Sequence, residues 1–515
     1  MEVDAAQYAS ISSEMAHTGN YLQVYHNGND YLDKPPLLFW LSSVSISIFG
    51  NNNIGYKLPA VIILWIGLWA TYLFGRLWYD KRTGIFAALI MGSSQAFHLM
   101  TNDVRSDGLL TSFVMLAVYF LSLYLKKEKL SSLIVGGLFI GAAMLAKGPI
   151  GFIIPVVAIG GHLLMTKQWK KLFDWRWLLV LPVIMIVLAP MLYGLYTQFD
   201  LHPEKEAYGI KSPSGIGFYF WTQSFGRITG ENSWQNDTSF FYFFQTILWD
   251  LAPWILLFIP VLIYKLRNVF RRNTIENEKL EWITLFGFAV PFIALSFSNY
   301  KLPHYIFPLF PFASLMVSDF ILKNADRIRR WHQWLYILFL HLFVILAFGI
   351  VTWVFGPPDY IILGIMLLTY VGLWALIKIN DVADKLILST VFVAFFFQCV
   401  LSLSFYPQLL KYQSTSQAGK MIKEANPPAA YWHYKHGHAL DYYAGNQITK
   451  LPEENLQNLP AGAWIFTNEE GLKTLNNYKI IKEFDDFAVT RLSPKFIDPA
   501  KRSAVVKKTY LIEGL

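Results

Sequence analysis

Asp4, Asp33, Lys34, Arg105, Asp107, Lys147, Arg227, Glu231 and Lys301 are isolated charges standing at or near the ends of long apolar runs, among aromatic residues and prolines. One charge in such a place is ordinarily a solvated helix end or a snorkelling side chain. Taken together they mix carboxylates with cations, whereas the short loops at the opposite ends of the apolar runs are plainly basic. A carboxylate can take a proton from a hydroxyl, and lysine or arginine can hold an anion. The set therefore describes a cleft that contains both acids and cations.

The elements that must carry these residues are membrane spans. Hydrophobic residues make up 54% of the 515, charged residues 15% and aromatics 17%, and the mean hydropathy is +0.37. That composition fits an integral membrane protein with interfacial aromatics. About twelve apolar stretches approach spanning length, 17 to 25 residues. They run near 57–77, 84–100, 108–125, 132–146, 149–165, 177–196, 240–264, 282–297, 303–322, 334–355, 360–377 and 386–406. The lone Cys399 lies in an apolar run and excludes a disulfide framework. The net charge of +8 is placed in short loops between spans, so it calls for cytoplasmic anchoring and not for nucleic acid.

Alternate loops carry Arg76, Lys81 and Arg82; Lys126, Lys127 and Lys129; Lys167, Lys170, Lys171 and Arg176; Lys265, Arg267, Arg271 and Arg272; Lys323, Arg327, Arg329 and Arg330; and Lys378 with Lys385. By the positive-inside rule these face the cytoplasm. The mixed charges, the long loop 197–239 and everything after Pro407 then face outward. No internal repeat is visible, and the charges gather at one face beside long external loops. Both features favour an enzyme fed from the bilayer over a transporter or flippase.

Asp4, Gln7-Tyr8-Ala9, Glu14-Met15, Tyr31-Leu32-Asp33-Lys34-Pro35-Pro36 and Trp40 resemble the first periplasmic loop of GT-C glycosyltransferases that use polyprenyl-phosphate sugars. Within that group the similarity is to the lipid A aminoarabinose transferases and to bacterial relatives of the protein O-mannosyltransferases. It continues in family order through Arg105-Ser106-Asp107, Lys147-Gly148-Pro149, Arg227, Phe240-Phe241-Tyr242, Pro253-Trp254 and Lys301-Leu302-Pro303-His304-Tyr305. Each motif is short, and the ordered set is specific for the superfamily but not for the substrate.

The resemblance implies an α-helical polytopic fold of GT-C type with a small C-terminal α/β periplasmic domain, in a bacterial inner membrane, with the active site on the periplasmic side. The expected division is 1–56 as an external catalytic loop region, 57–410 as the multi-span transferase and 411–515 as the soluble domain. The implied partners are a polyprenyl-phosphate-linked sugar as donor, lipid A or another envelope acceptor, and membrane lipids. A departing polyprenyl phosphate gathers negative charge, so cations must stand at it. Lys34, Arg227 and Lys301 are the candidates, with the hydroxyls of Tyr8, Tyr31 and Tyr305 beside them. Asp4 has the catalytic position and Asp107 the second acidic position. Asp4 acts as general base if the acceptor is a hydroxyl, and as an orienting group if it is a phosphate. Both also read as charges at a helix start, and Lys34-Pro35-Pro36 reads as a helix start too.

Ala5 and Gln7 replace an acidic residue and an arginine of the lipid A enzyme, and Asp33 and Ser224 replace a glutamate and a histidine associated there with a metal. The metal site is therefore not carried over, no cofactor is assigned, and a divalent metal requirement stays open. Relatives place a membrane helix before the Asp4 loop, so a further span ahead of Met1 is expected. After Lys411 apolar runs shorten to strand length at Ala429–Tyr434 and Trp464–Thr467, and Phe484–Thr490 predicts a hairpin. His433, His436 and His438 read as a surface turn in preference to a metal site.

Overall fold

The computed structural model describes residues 3–207, 209–223, 226, 238–270, 280–357, 360–490 and 492–515. It divides into two compact units, one of Met1–Ile11, Leu338–Trp374 and Phe395–Leu515, the other of Ser12–Ile337 and Ala375–Ala394.

The second unit is a helical bundle. After α1 (Val3–Thr18), which crosses the boundary between the units, come the small hairpin of β1 (Tyr25–His26) and β2 (Asn29–Asp30) and then α2 (Leu37–Phe49). Residues 1–56, expected as a loop region, are thus largely helical. α3 (Asn53–Trp78) starts where the Asn52 side chain accepts hydrogen bonds from the amides of Ile54 and Gly55. α4 (Lys81–Ser93) starts on Asp80, which accepts from Thr83 N–H at 2.8 Å. α4 and α5 (Gln95–Asn102) meet at a 59° bend. α6 (Ser106–Lys127) has Asp107 in its first turn and Lys126 and Lys127 in its last, the arrangement that the helix dipole favours. α7 (Leu130–Lys147) and α8 (Ile150–Met165) are joined by Gly148, whose φ of +91° suits glycine, and by Pro149 at the following start. α3 and α4 pack closely because Gly75 faces Gly84: a Cβ on Gly75 would lie 2.6 Å from the Gly84 Cα.

The bundle continues through α9 (Val180–Leu195), α10 (Tyr242–Asp250), α11 (Ile255–Phe270), α12 (Ile283–Ser296) and α13 (Phe310–Asn324). Then follow α14 (Arg330–Phe355) and α15 (Tyr360–Ile377), which belong mostly to the first unit, and α16 (Val382–Val400), which belongs to the second unit up to Ala394. Among the described residues eight helices are long and apolar enough to cross a membrane, or nine if the bent α4–α5 pair is one span. The chain is a multi-pass membrane protein. The expected stretches at 149–165 and 282–297 form helices of 16 and 14 residues. The stretch 240–264 is broken between α10 and α11, around Pro253, which cannot donate a helical hydrogen bond.

The first unit holds a five-stranded sheet. Its strands are β3 (Ala430–His433), β4 (Thr449–Lys450), β5 (Trp464–Asn468), β6 (Tyr478–Asp486) and β7 (Lys507–Gly514), in the order β4-β3-β5-β7-β6. β3 is parallel to β4 and β5, while β7 runs antiparallel to β5 and β6. Neighbouring residues of β5 face opposite sides. Phe466 packs with Leu440, Phe484 and Leu511, and Ile465 packs with Leu451 and Ile512 on the other face. The strands expected at 429–434 and 464–467 are present. The hairpin expected at 484–490 is not: Phe484 lies in the last three residues of β6, which ends at Asp486, and the partner strand starts only at Lys507. His433 is also not at a surface turn. It is buried on β3, with Nε2 2.8 Å from the Thr474 hydroxyl.

Candidate active site

The stretch before α2 is anchored by local polar contacts. Asn27 and Gly28 form the turn of the hairpin with φ of +54° and +74°. Their amides donate to the Glu14 carboxylate at 2.6 and 3.0 Å. The buried Gln198 side chain closes the other side. Its oxygen accepts from Val24 N–H at 3.0 Å, and its nitrogen donates to Val24 C=O and to Asp30 Oδ1, both at 2.9 Å. Lys205 holds the other oxygen of Asp30 at 2.9 Å. From this support the chain passes through Tyr31 and Asp33 to Lys34, whose Nζ lies 2.7 Å from Asp33 Oδ2, and enters α2 at Pro36. The helix start expected at Lys34-Pro35-Pro36 is therefore present, and it presents Lys34 at its mouth.

Lys34 lines an open cleft with Tyr31, Pro35, Met191, Leu195 and Tyr219. Its walls are largely apolar, with Lys34 as the charged group. Tyr219 donates from its hydroxyl to Met144 C=O at 3.1 Å, which ties the cleft wall to the last turn of α7.

That last turn ends on Lys147, and Lys147 pairs with Asp107. Asp107 is only 2% exposed, so its charge needs this partner. His304 Nε2 stands 3.8 Å from the second oxygen of Asp107, and Lys147 Nζ lies 4.1 Å above the centre of the Tyr305 ring. Lys301, 4% exposed, donates to Thr238 C=O at 3.1 Å, and burial pushes its pKa down. Arg105 pairs with Asp103 at 2.7 Å. One end of the bundle thus holds a carboxylate fixed by a lysine, with a histidine, a tyrosine face and a second buried lysine on the adjoining segment.

Of the residues singled out in the sequence, Asp107 and Tyr305 meet through Lys147, Lys301 sits four residues before Tyr305, and Lys34 and Tyr31 share the cleft. Asp4 lies in the first turn of α1, with the buried Tyr8 one turn later, both in the other unit. Arg227, Glu231 and Ser224 lie outside the described residues. Sequence reasoning missed His304 as a neighbour of Asp107, although it lies inside the motif 301–305. It also missed Gln198 and Tyr219, for which no local signal exists: Gln198 bonds a residue 174 positions away. Among the described residues no three His, Cys, Asp or Glu side chains come together as a metal ligand set, and Asp33 is engaged by Lys34. No chemical step is derived through a metal.

Residues 33–193 match the family model of dolichyl-phosphate-mannose-protein mannosyltransferases. An undecaprenyl phosphate-alpha-4-amino-4-deoxy-L-arabinose arabinosyl transferase of Aeromonas hydrophila is 26% identical over 412 residues, 75% of this chain and 70% of that protein. The protein of the same description from Edwardsiella ictaluri is 28% identical over 324 residues, covering 61% and 54%. The crystal structure of ArnT from Cupriavidus metallidurans bound to undecaprenyl phosphate superposes with a TM-score of 0.74 at 16% identity, over 99% of this chain and 94% of that one. The apo form of the same protein gives 0.72 at 17%, over 93% and 91%. In fold and in sequence the chain resembles this group of GT-C glycosyltransferases, as the motifs led one to expect.

Proposed function

We propose that this chain is a membrane glycosyltransferase that moves a sugar from a polyprenyl-phosphate donor to an envelope acceptor such as lipid A, at the periplasmic face. The observation that carries this reading is the cleft in which, among the described residues, Lys34 is the one charged group in largely apolar walls. A lipid that ends in a phosphate needs both, apolar surface for the chain and a fixed cation for the head.

In this reading an acceptor oxygen attacks the anomeric carbon from the side opposite the phosphate. The bond from that carbon to the phosphate oxygen breaks, and the polyprenyl phosphate leaves with the electron pair. Lys34, Lys301 and Arg227 take up its charge, with hydroxyls from Tyr8, Tyr31 and Tyr305. Asp33 positions Lys34 through their ion pair. Asp4 accepts the proton of a hydroxyl acceptor, or orients an acceptor phosphate that is already anionic. Asp107 is fixed by Lys147 and serves as the second acid.

The same reading sets the topology. α8, α12 and the broken stretch 242–270 are shorter crossings that bring the count to about twelve. The basic loops are cytoplasmic, and residues 411–515 form an α/β domain outside the membrane. A protein or glycan acceptor is the second reading, favoured by the match of 33–193 to protein mannosyltransferases.

Purified protein supplied with a radiolabelled undecaprenyl-phosphate sugar and with lipid A should yield labelled lipid A. Mass spectrometry of lipid A, glycans and envelope proteins from a strain lacking the gene identifies the acceptor by the sugar mass that disappears. No change in any of the three would refute the transferase reading.

A further inference from the structure

Away from the cleft, two broken helices of the bundle meet. α4 gives way to α5 at Ser94, and α10 gives way to α11 at residues 251–254. Gln95 lies about 21 Å along the helix from Lys81, and Asp250 about 12 Å from Tyr242, at 1.5 Å per residue. Two hydrogen bonds lock the breaks together. Gln95 N–H donates to Ala252 C=O at 3.2 Å, and the Trp254 indole N–H donates to Ser93 Oγ at 3.0 Å.

Inside this joint two polar side chains are left over. Asp250 and Gln95 are each 1% exposed. Among the described residues neither carboxylate oxygen of Asp250 and neither amide atom of Gln95 has a hydrogen-bond partner. Buried polar groups left unsatisfied are costly, and these two lie at breaks joined by the bond from Gln95 N–H to Ala252 C=O. An ionised carboxylate there needs a counter-charge, and no lysine, arginine or histidine is paired with Asp250 among the described residues. The groups on offer are oxygens: two of Asp250 and one of Gln95, at a place where the helices are interrupted. Oxygen donors around one negative charge between interrupted helices suit a small hard monovalent cation, because it neutralises the charge and takes up the lone pairs together.

We propose that the joint between these two broken helices is a sodium site, with Asp250 supplying the charge and Gln95 an amide oxygen. Bound sodium would pin the α4–α5 bend to the α10–α11 break. The site is independent of the glycosyl-transfer reading.

The test is thermal unfolding of the full chain in detergent, in NaCl against choline chloride at equal ionic strength. Sodium should raise the apparent Tm of the wild type by about 1 °C, the shift that roughly 1 kcal/mol gives a chain of this length. Asp250→Asn keeps the shape and removes the charge, so it should lose the sodium response. If that variant does not fold, equilibrium dialysis of the wild type against radioactive sodium decides, with saturable binding near one ion per chain expected. Equal melting in the two salts, a sodium shift that survives in Asp250→Asn, or dialysis without saturable binding would each overturn the assignment. The first of these is the result expected of a permanently protonated Asp250.

Discussion

Two ionic clusters sit at opposite ends of the same helical bundle, and they are built differently. At the far end of α6 from Asp107, Lys126 lies 4.3 Å over the Trp78 ring, next to Tyr79. Tyr79 donates to Glu281, Lys265 stands 3.9 Å from Glu281 and 4.0 Å from Asp319, and Lys323 pairs with Asp319 at 2.7 Å. Glu281 also accepts from Thr284 N–H at 2.6 Å, in the first turn of α12. Two acids, three lysines and a helix start meet one another there. At the Asp107 end one buried carboxylate meets Lys147 and His304, Lys301 lies on the segment of His304, and Lys34 lines a largely apolar cleft. The first cluster is a closed staple between helix ends. The second borders a cleft with a lysine in its wall, the arrangement proposed above to receive a lipid phosphate.

The largest effect should separate chemistry from stapling. Asp4→Asn, a nearly isosteric loss of charge, should abolish transfer while the apparent Tm stays put, and Glu281→Gln should lower the Tm while the folded fraction turns over at the wild-type rate. Parallel rate and melting measurements check both. Activity of Asp4→Asn within a few-fold of wild type would remove it from catalysis.

Next in size is Lys34→Ala, which should weaken donor use by about 2–5 kcal/mol, the range for losing a buried charged contact. Donor titration of the purified variant measures it, and unchanged affinity and rate would sink the phosphate assignment. Asp107→Asn should cost less, about tenfold in rate, or 1.4 kcal/mol, because the amide can still accept from Lys147. A kinetic comparison with Asp107→Ala, which leaves Lys147 without its partner, should show the alanine variant to be clearly worse.

The smaller effects concern charge state. Burial lowers the pKa of Lys301, so it gives up its proton at a lower pH than an ordinary lysine. If its charge holds the donor, activity falls on the alkaline side as that proton leaves. Lys301→Arg keeps its charge there and should extend activity to higher pH, which a pH–rate profile reads directly. Least of all should be the effect of chelation. With the phosphate charge carried by lysine and arginine, EDTA should leave the rate of the purified protein unchanged.

Much of the fold could be read along the chain because its causes are local. Runs of apolar residues have to become helices in a bilayer, where every backbone polar group must be satisfied within the segment. The Lys147-Gly148-Pro149 turn, the acid in the first turn of α6 and the strands at 430–433 and 464–468 follow from residue type and spacing. The broken stretch around Pro253 and the late arrival of β7 as partner for β6 were not legible, because both depend on which distant segment comes alongside. His433 looked like part of a polar turn and is buried, because Thr474 offers its side chain a partner.

The candidate site divides in the same way. Its residue types and their order were fixed by the sequence alone: acids and cations at the ends of spans, a Lys-Pro-Pro helix start, and a lysine just ahead of His304 and Tyr305. Only the tertiary structure decided that Asp107 takes Lys147 as its counter-charge, that Gln198 braces the segment leading to Lys34, and that Asp250 and Gln95 are buried at two helix breaks joined by a hydrogen bond. Helix formation in an apolar medium is settled within a few turns of chain, whereas the pairing of charges is settled by which helix ends are packed side by side.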